Sequence, residues 1–426
     1  MAEGARYSLT PTALVVVATG VVSWIVAFTE DSLLAHLLAA LAFAFAAVAF
    51  LLAARSVRGV NVTRVVDATA FDGDDVKVQF VVTNTNKGAR SLLEISNLLY
   101  TSRGPAGRVS ALVSELPAGA LATATGAVPD VRRGEFVFAP PVVSSSDPFG
   151  LFGCSREMDE SVAPSSRVTV FPKTFAIDSL AIASDLSWSI SGLEPTSSAG
   201  AGGEFLGTRE YRFGDSVRAI HWPLSARMGE LIVKEFERNT STEVSIFLDL
   251  DAHADWGRGR ASTFEYAVRI AASVGSYAAA RGNAVQLVAY GSKWVVVPPG
   301  KGAYHQQMLM HYLSSFEPVG VAPFNYVIGQ MAPRLKEGAS AVLIFPNEHL
   351  QLELFGPALE GLWARRIRVT AILMNVESFL DDGFARPPGD NEVETYLASR
   401  GASVYVVRKD QDLSQALAVP MAGPAR

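Results

Sequence analysis

Two stretches near the N-terminus leave this chain few folds to choose from. Tyr7–Thr29 contains no Asp, Glu, Lys or Arg, and Ser32–Ala54 contains none either, with His36 its one ionisable side chain. A bilayer-spanning helix needs roughly twenty predominantly apolar residues, and each run supplies them. Only "TEDS" lies between, enough for a tight turn. The pattern predicts a transmembrane helical hairpin within residues 1–57, with helices at about 10–29 and 33–54. Arg6 precedes the first helix, Arg55, Arg58 and Arg64 follow the second, and Glu30 and Asp31 occupy the turn. An excess of Arg at both outer ends places the two termini in the cytoplasm. A cleaved signal peptide would need a small-residue site before the second run, and none stands there. The lipid bilayer is therefore the first expected partner.

Composition agrees. The chain has 426 residues, 49% of them hydrophobic, and a net charge of −6. Nucleic-acid binders carry a basic stripe, so nucleic acid is not an expected partner. One cysteine, Cys154, rules out an intrachain disulfide and suits a reducing compartment; it reads as a small buried hydrophobe without chemistry.

Beyond the hairpin the period changes. "DVKVQFVVTNTN" alternates Val76, Val78, Phe80 and Val82 against Lys77 and Gln79, the signature of a half-buried strand. "SLLEISNLLY", "RVSALVSELPAG", Glu135–Ala139 and Val168–Ile177 add short strands bounded by Gly, Pro and Asn. Together they predict a β-sandwich over 58–178. "DPFG" at Asp147–Gly150 is a turn by composition. A linker and a distinctive charged stretch fill 179–240, including the Ser/Gly/Ala-rich Glu194–Glu204, which reads as a loop.

From 241 to 426 near-continuous apolar strands alternate with helical patterns. The strands are Val244–Asp251, "AVQLVAYG", Ser340–Pro346, Arg368–Met374 and "SVYVVRK". Helices are expected at Thr263–Arg281, Tyr304–Phe316, Phe324–Leu335, Pro357–Arg365 (Pro357 in the first helical position) and Glu392–Arg400. This alternation predicts an α/β, Rossmann-like domain with a parallel sheet covered on both faces. Ligands of such sheets sit at the carboxyl ends of strands, here Asp249, Asp251 and His253 after one strand and Asn347, Glu348 and His349 after another. A P-loop is excluded at "PPGKGAYH", because Val295 replaces its first Gly and Gly302 its Ser or Thr.

The charged stretch, "GTREYRFGDSVRAIHWPLSARMGELIVKEFE", spans Gly207–Glu237 and has ten charged residues in thirty-one. Its candidate binding or structural residues are Arg209, Glu210, Tyr211, Gly214, Asp215, Arg218, His221, Trp222, Ser225, Arg227, Lys234 and Glu235. Three readings compete. A hydrolase would use Ser225 as nucleophile with His221 and Asp215. An anion cradle would use Arg209, Arg218, Arg227 and Lys234. A partly buried ionic joint between two domains would pair both signs, since unpaired buried charge is costly. The joint is the most economical, with "RFGD" as a turn, Val217–Trp222 as a short helix and "ELIVKEFE" as a strand. No catalytic set is assigned, and an enzyme is not expected.

With the hairpin, "RRGEFVFAPP…DPFGLF" and above all this stretch, the chain resembles the bacterial family catalogued as domain of unknown function fifty-eight. The resemblance implies a von Willebrand factor A-like domain after the stretch and residence in a bacterial inner membrane. It also implies association with a MoxR-type AAA+ ATPase and a transglutaminase-like membrane protein. Von Willebrand A domains hold a divalent cation with D-x-S-x-S. Here those positions read Asp249, Leu250, Asp251, Ala252 and His253, a degenerate site with an incomplete ligand set, so no metal or cofactor is expected. The function expected is that of a scaffold or adaptor working with the ATPase in complex assembly or envelope maintenance. The alternatives are the hydrolase and a purely structural subunit of an envelope complex.

Overall fold

The computed structural model describes residues 4–182, 205–212, 215, 217, 220–236, 242–347, 352–380 and 392–421, the side chains of 205–207, 235 and 236 excepted. The chain divides into two compact units, Met1–Lys173 and Thr174–Arg426.

The first unit opens with strand β1 (Ala5–Leu9) and two helices, α1 (Pro11–Thr29) and α2 (Leu33–Ser56). Both helices are long and apolar enough to cross a membrane. Thr10 caps α1 by accepting from the Ala13 N–H, and Pro11 fills the first position, where a missing N–H costs nothing. Ser32 caps α2 in the same way through the Ala35 N–H. The buried positions are Ala13, Gly20 and Ala27 on α1 and Ala35, Ala39, Ala49 and Ala53 on α2. Small residues let two apolar helices approach closely. At Gly20 a Cβ would stand 3.2 Å from the Ala42 Cβ, so glycine is what this crossing accommodates.

Two sheets follow. A three-stranded sheet runs β2–β4–β7, from β2 (Val60–Val66), β4 (Val76–Asn84) and β7 (Leu121–Val128). The larger sheet contains β3 (Thr69–Phe71), β5 (Arg90–Thr101), β6 (Gly104–Leu116), β8 (Gly134–Phe138), β9 (Val142–Ser146), β10 (Phe152–Glu157) and β11 (Ser166–Phe171). Its order is β1–β10–β9–β5–β8–β11–β3, with β6 also on β5. Val78, Phe80 and Val82 of the small sheet and Leu93, Ile95 and Phe138 of the large one share a single core. The alternation read in β4 is the cause, since Lys77 and Gln79 face out while their neighbours are buried.

Two features of this unit differ from the sequence reading. Ala5–Leu9 is a strand that pairs antiparallel with β10, Leu9 opposite Phe152. Arg64, counted among the flanking charges, lies within β2 and is half-buried. Its guanidinium donates to Asn97 Oδ1 at 2.6 Å, to the carbonyls of Ala139 and Pro164 at 2.7 Å each, and to Ser166 Oγ at 2.8 Å. Cys154 is buried, and burial pushes its thiol above the usual range.

The second unit contains a hairpin, β12 (Phe205–Glu210) with β13 (Ile232–Phe236), bridged by the short helix α3 (Trp222–Met228). A six-stranded sheet follows, made of β14 (Glu243–Leu248), β15 (Ala284–Tyr290), β16 (Trp294–Gly300), β17 (Ser340–Pro346), β18 (Arg368–Met374) and β19 (Ser403–Val407). Its order is β16–β15–β14–β17–β18–β19. All pairings are parallel except that of the edge strand β16. The helices are α4 (Thr263–Ala280), α5 (Gly302–Ser315), α6 (Phe324–Met331), α7 (Leu352–Trp363), α8 (Glu392–Ser399) and α9 (Leu413–Ala416). One helix start needs correction. Pro357 lies inside α7, which already runs from Leu352. At that depth its missing N–H removes one intrahelical bond near the start, which Phe355, Leu359 and Leu362 offset by packing into the core.

Because β14 is central and the chain leaves it towards both edges, the switch point of the sheet lies at the carboxyl ends of β14 and β17. Asp249 and Asn347 stand there.

Candidate functional site

The charged stretch folds as a small module. Arg209 and Glu210 close β12, opposite Val233 and Ile232 of β13. The Tyr211 N–H donates to the Leu231 carbonyl at 2.7 Å, continuing the hairpin. The Asp215 N–H donates to the Arg212 carbonyl at 3.0 Å. The Asp215 carboxylate accepts both arms of the Arg209 guanidinium, at 2.7 and 2.8 Å, and the Arg212 N–H at 2.8 Å. Those hydrogen bonds hold its carboxyl down at about 2, the Arg209 contact contributing most.

Val217, where the expected Val217–Trp222 helix begins, lies in a 3-10 turn, its carbonyl accepting the Ile220 N–H at 3.3 Å, and residues 218 and 219 lie outside those described. His221 opens the next helix: its Nδ1 accepts the Leu224 N–H at 3.2 Å, and α3 runs from Trp222 with Pro223 in its first turn. Accepting at Nδ1 puts the proton of the neutral ring on Nε2. A left-handed Gly229 ends the helix. Ser225 is buried, and its Oγ accepts the Ile232 N–H at 2.9 Å while meeting the Ile232 carbonyl at 3.4 Å. Ser225 thus ties α3 to β13.

The three residues of the hydrolase reading are therefore each engaged elsewhere. Asp215 serves Arg209, His221 caps a helix, and Ser225 binds a strand backbone. Among the described residues no hydrogen bond joins any two of their side chains. Among the described residues of the stretch, Arg209–Asp215 is the one ion pair. Glu210, Arg212 and Arg227 are exposed, and Lys234 is half-buried. Gly214, Arg218 and the Glu235 side chain lie outside the described residues.

The stretch also exposes apolar side chains. Trp222 is 60% exposed, and Val217, Met228 and Leu231 are exposed with it. The sequence signal was present in the apolar and aromatic residues on and beside a short helix, but periodicity over so few residues does not say which face is covered.

The second candidate lies at the switch point. The Asp249 N–H donates to the Ile344 carbonyl at 3.1 Å, joining the ends of β14 and β17. Asp249 Oδ1 accepts the Asp251 N–H at 3.0 Å. Asp251 accepts from the His253 N–H at 3.0 Å and faces His253 Nδ1 at 3.1 Å. Burial above all pushes the Asp249 carboxyl up to about 7, with the Asp251 amide pulling it down and the Asp251 carboxylate pushing it up. With Asp255 and Thr263, neither of them singled out by the sequence, they line a cavity of about 10 Å³. That is space for about one water molecule and for no organic ligand. Asn347 supports the same edge, its Oδ1 accepting the Val376 N–H at 3.0 Å; Glu348 and His349 lie outside the described residues. The side chains at the two D-x-S-x-S hydroxyl positions, Asp251 and His253, face each other, and the Thr263 hydroxyl is held by the Ala254 carbonyl at 3.0 Å. This set does not fit a hydroxyl-built cation site. Among the described residues no three His, Cys, Asp or Glu side chains group to hold a metal ion.

Residues 207–347 match the family described as Protein of unknown function DUF58. The match runs from the charged stretch through β17, so it includes both candidate sites. Uncharacterized proteins of Mycobacterium tuberculosis and Mycobacterium bovis are 28% identical over 125 residues, covering 29% of this chain. The chain spans 39% of the length of these curated relatives. Among solved structures, a CARDB domain from Pyrococcus furiosus in complex with di-metal ions is similar over 27% of this chain and 94% of its own, at 11% identity and a TM-score of 0.20. The C-terminal domain of wzt is similar over 26% and 73% of the two chains, at 11% identity and a TM-score of 0.21. Likeness at that level is too slight to assign a fold.

Proposed function

We propose that this chain is a membrane-anchored adaptor, held by its N-terminal hairpin at the cytoplasmic face of a bacterial inner membrane. Its six-stranded domain acts as a von Willebrand factor A-like binding module, and its charged stretch docks a partner. The observation that carries the reading is the division of labour within that stretch. Its polar side chains hold a hairpin and a helix together, while Trp222, Met228, Leu231 and Val217 face solvent beside the exposed Arg227. Trp and Arg next to an apolar patch is the composition of a protein–protein hot spot. The central β14 and the antiparallel edge strand β16 support the A-like reading. Exposed Arg6, Arg55 and Arg58 at one end of the hairpin and Glu30 and Asp31 at the other support a cytoplasmic location for both termini.

The partner class follows from the family resemblance: a MoxR-type AAA+ ATPase, with a transglutaminase-like membrane protein as a candidate client. The test is co-purification from native membranes under nucleotide-trapping conditions, comparing the natural chain with Trp222→Ala and Arg227→Ala. An AAA+ ATPase recovered with the natural chain and lost with either variant supports the reading. No ATPase, or equal recovery in all three, overturns it.

A further inference from the structure

In the first unit, α1 has 19 residues. At 1.5 Å per residue that is about 28 Å, just the thickness of a hydrocarbon core of about 30 Å. There is no turn to spare, so a spanning α1 must use its first turn within the membrane.

That first turn is already in contact with the large sheet. Ala13, Ala49 and Ala53 pack in one cluster with Leu151 and Phe152, and Val16 and Phe45 pack against it. The Phe149 ring meets Phe45 with centroids 4.7 Å apart. Val16, which packs against the same cluster as Phe45, stands five residues beyond Pro11, or about 8 Å along the helix. The loop between β9 and β10 thus reaches alongside the hairpin past the start of α1. Thr10 fixes it there, its Oγ1 lying 2.9 Å from both the Gly150 and Leu151 carbonyls and its N–H 3.0 Å from the Leu151 carbonyl.

The loop is built to tolerate an apolar solvent. Irregular backbone exposed to lipid is excluded unless its polar groups are satisfied internally. Asp147, itself buried, accepts the N–H groups of Phe149 and Leu151 at 2.8 Å each and of Phe152 at 2.6 Å. Its carbonyl takes the Gly150 N–H at 3.0 Å, and its own N–H donates to the Phe152 carbonyl at 3.1 Å. Pro148 has no N–H. Every backbone donor from Asp147 to Phe152 is therefore satisfied within the loop. Outward it presents Phe149, 57% exposed, and beside it Leu9 of β1 is exposed as well. Exposed Arg6, Arg55 and Arg58 lie at the same end of the hairpin, suited to lipid phosphate.

We propose that the Asp147–Phe152 loop is a second membrane element, a wedge by which the β-sheet unit inserts Phe149 at the headgroup–acyl boundary of the bilayer spanned by the hairpin. The wedge rests on the spanning reading of α1 and α2. It continues their lipid-facing surface, and it fixes the sheets at a set depth and angle to the bilayer. A helix pair alone would leave them free to pivot.

The test uses the full chain in vesicles of phosphatidylcholine and phosphatidylglycerol, with one nitroxide at Phe149→Cys, Trp24→Cys or Val65→Cys. Cys154 is 2% exposed and leaves the added thiol as the reactive one. Trp24 reports an exposed position inside α1, five residues before its end, and Val65 reports a solvent-facing position on β2. Collision with oxygen should exceed collision with a water-soluble nickel chelate several-fold at Phe149 and Trp24, and the order should reverse at Val65. A Val65-like ratio at Phe149 with a lipid ratio at Trp24 would sink the wedge and leave the hairpin. A water ratio at Trp24 would remove both. Shielding of Phe149 from both reagents would assign its ring to a protein partner and also overturn the proposal.

Discussion

Ser225 looks in the sequence like a nucleophile, yet its hydroxyl is engaged by the Ile232 peptide unit. Ser225→Ala leaves the buried Ile232 N–H without its acceptor, which costs about 1–3 kcal/mol. The variant should unfold at lower denaturant in a urea melt, and the His221→Ala cap loss should add about 1 kcal/mol. A stability unchanged by Ser225→Ala would restore the residue to the list of free hydroxyls. The two perturbed aspartates act in opposite directions. Asp249 titrates at about 7 in the folded chain and near its ordinary 3.8 when unfolded. Below pH 3.8 it is protonated in both states and neutral to stability. Stability then falls as pH rises towards 7, and the penalty stays constant above it. Asp249→Asn should abolish that slope, stabilising by on the order of 2–4 kcal/mol at pH 8 and by nothing below pH 3.8. Denaturant midpoints across pH measure this, and a parent-like slope in the variant would show that another group carries it. Asp215, held at about 2, contributes stability above its ordinary 3.8 that is lost as pH falls towards 2. Its pair with Arg209 is partly exposed, so the contribution is under about 1 kcal/mol.

At the scale of elements, Gly320 braces the switch point. Its N–H donates to the Leu250 carbonyl at 2.7 Å and its carbonyl accepts the Ala252 N–H at 3.0 Å. A Cβ there would stand 2.7 Å from the carbonyl oxygens of Leu250 and Tyr290. Backbone cannot retreat as a side chain can, so Gly320→Ala should cost about 2–3 kcal/mol. It should also raise hydrogen exchange at Leu250–Ala252, and exchange left unchanged there would show that the brace is dispensable. The same region shows what the sequence could convey. β14, β15, β17, β18 and β19 were legible because strands buried on both faces must be continuously apolar. β16 was not, because an edge strand ending in "VPPG" carries turn residues that outweigh its valines. The pairing of β1 with β10 was invisible for another reason. Ala5–Leu9 runs straight into an apolar helix, and its partner lies far along the chain. In the charged stretch, residue types read as a polar network. They could not show that Ser225 and His221 turn towards backbone rather than towards each other, since that depends on where α3 starts.

At the scale of the molecule, each unit carries core residues of its own. Leu93, Ile95 and Phe138 belong to a cluster in the first, and Phe247, Leu343 and Phe355 to a cluster in the second. Units with separate cores unfold separately unless the segment between them transmits stability. Leu93→Ala and Leu343→Ala each empty a fully buried site and should cost about 2–5 kcal/mol. Calorimetry of the full chain in detergent should therefore show two transitions, the first variant lowering one and the second lowering the other. A single transition displaced by either substitution would mean that the two units unfold as one.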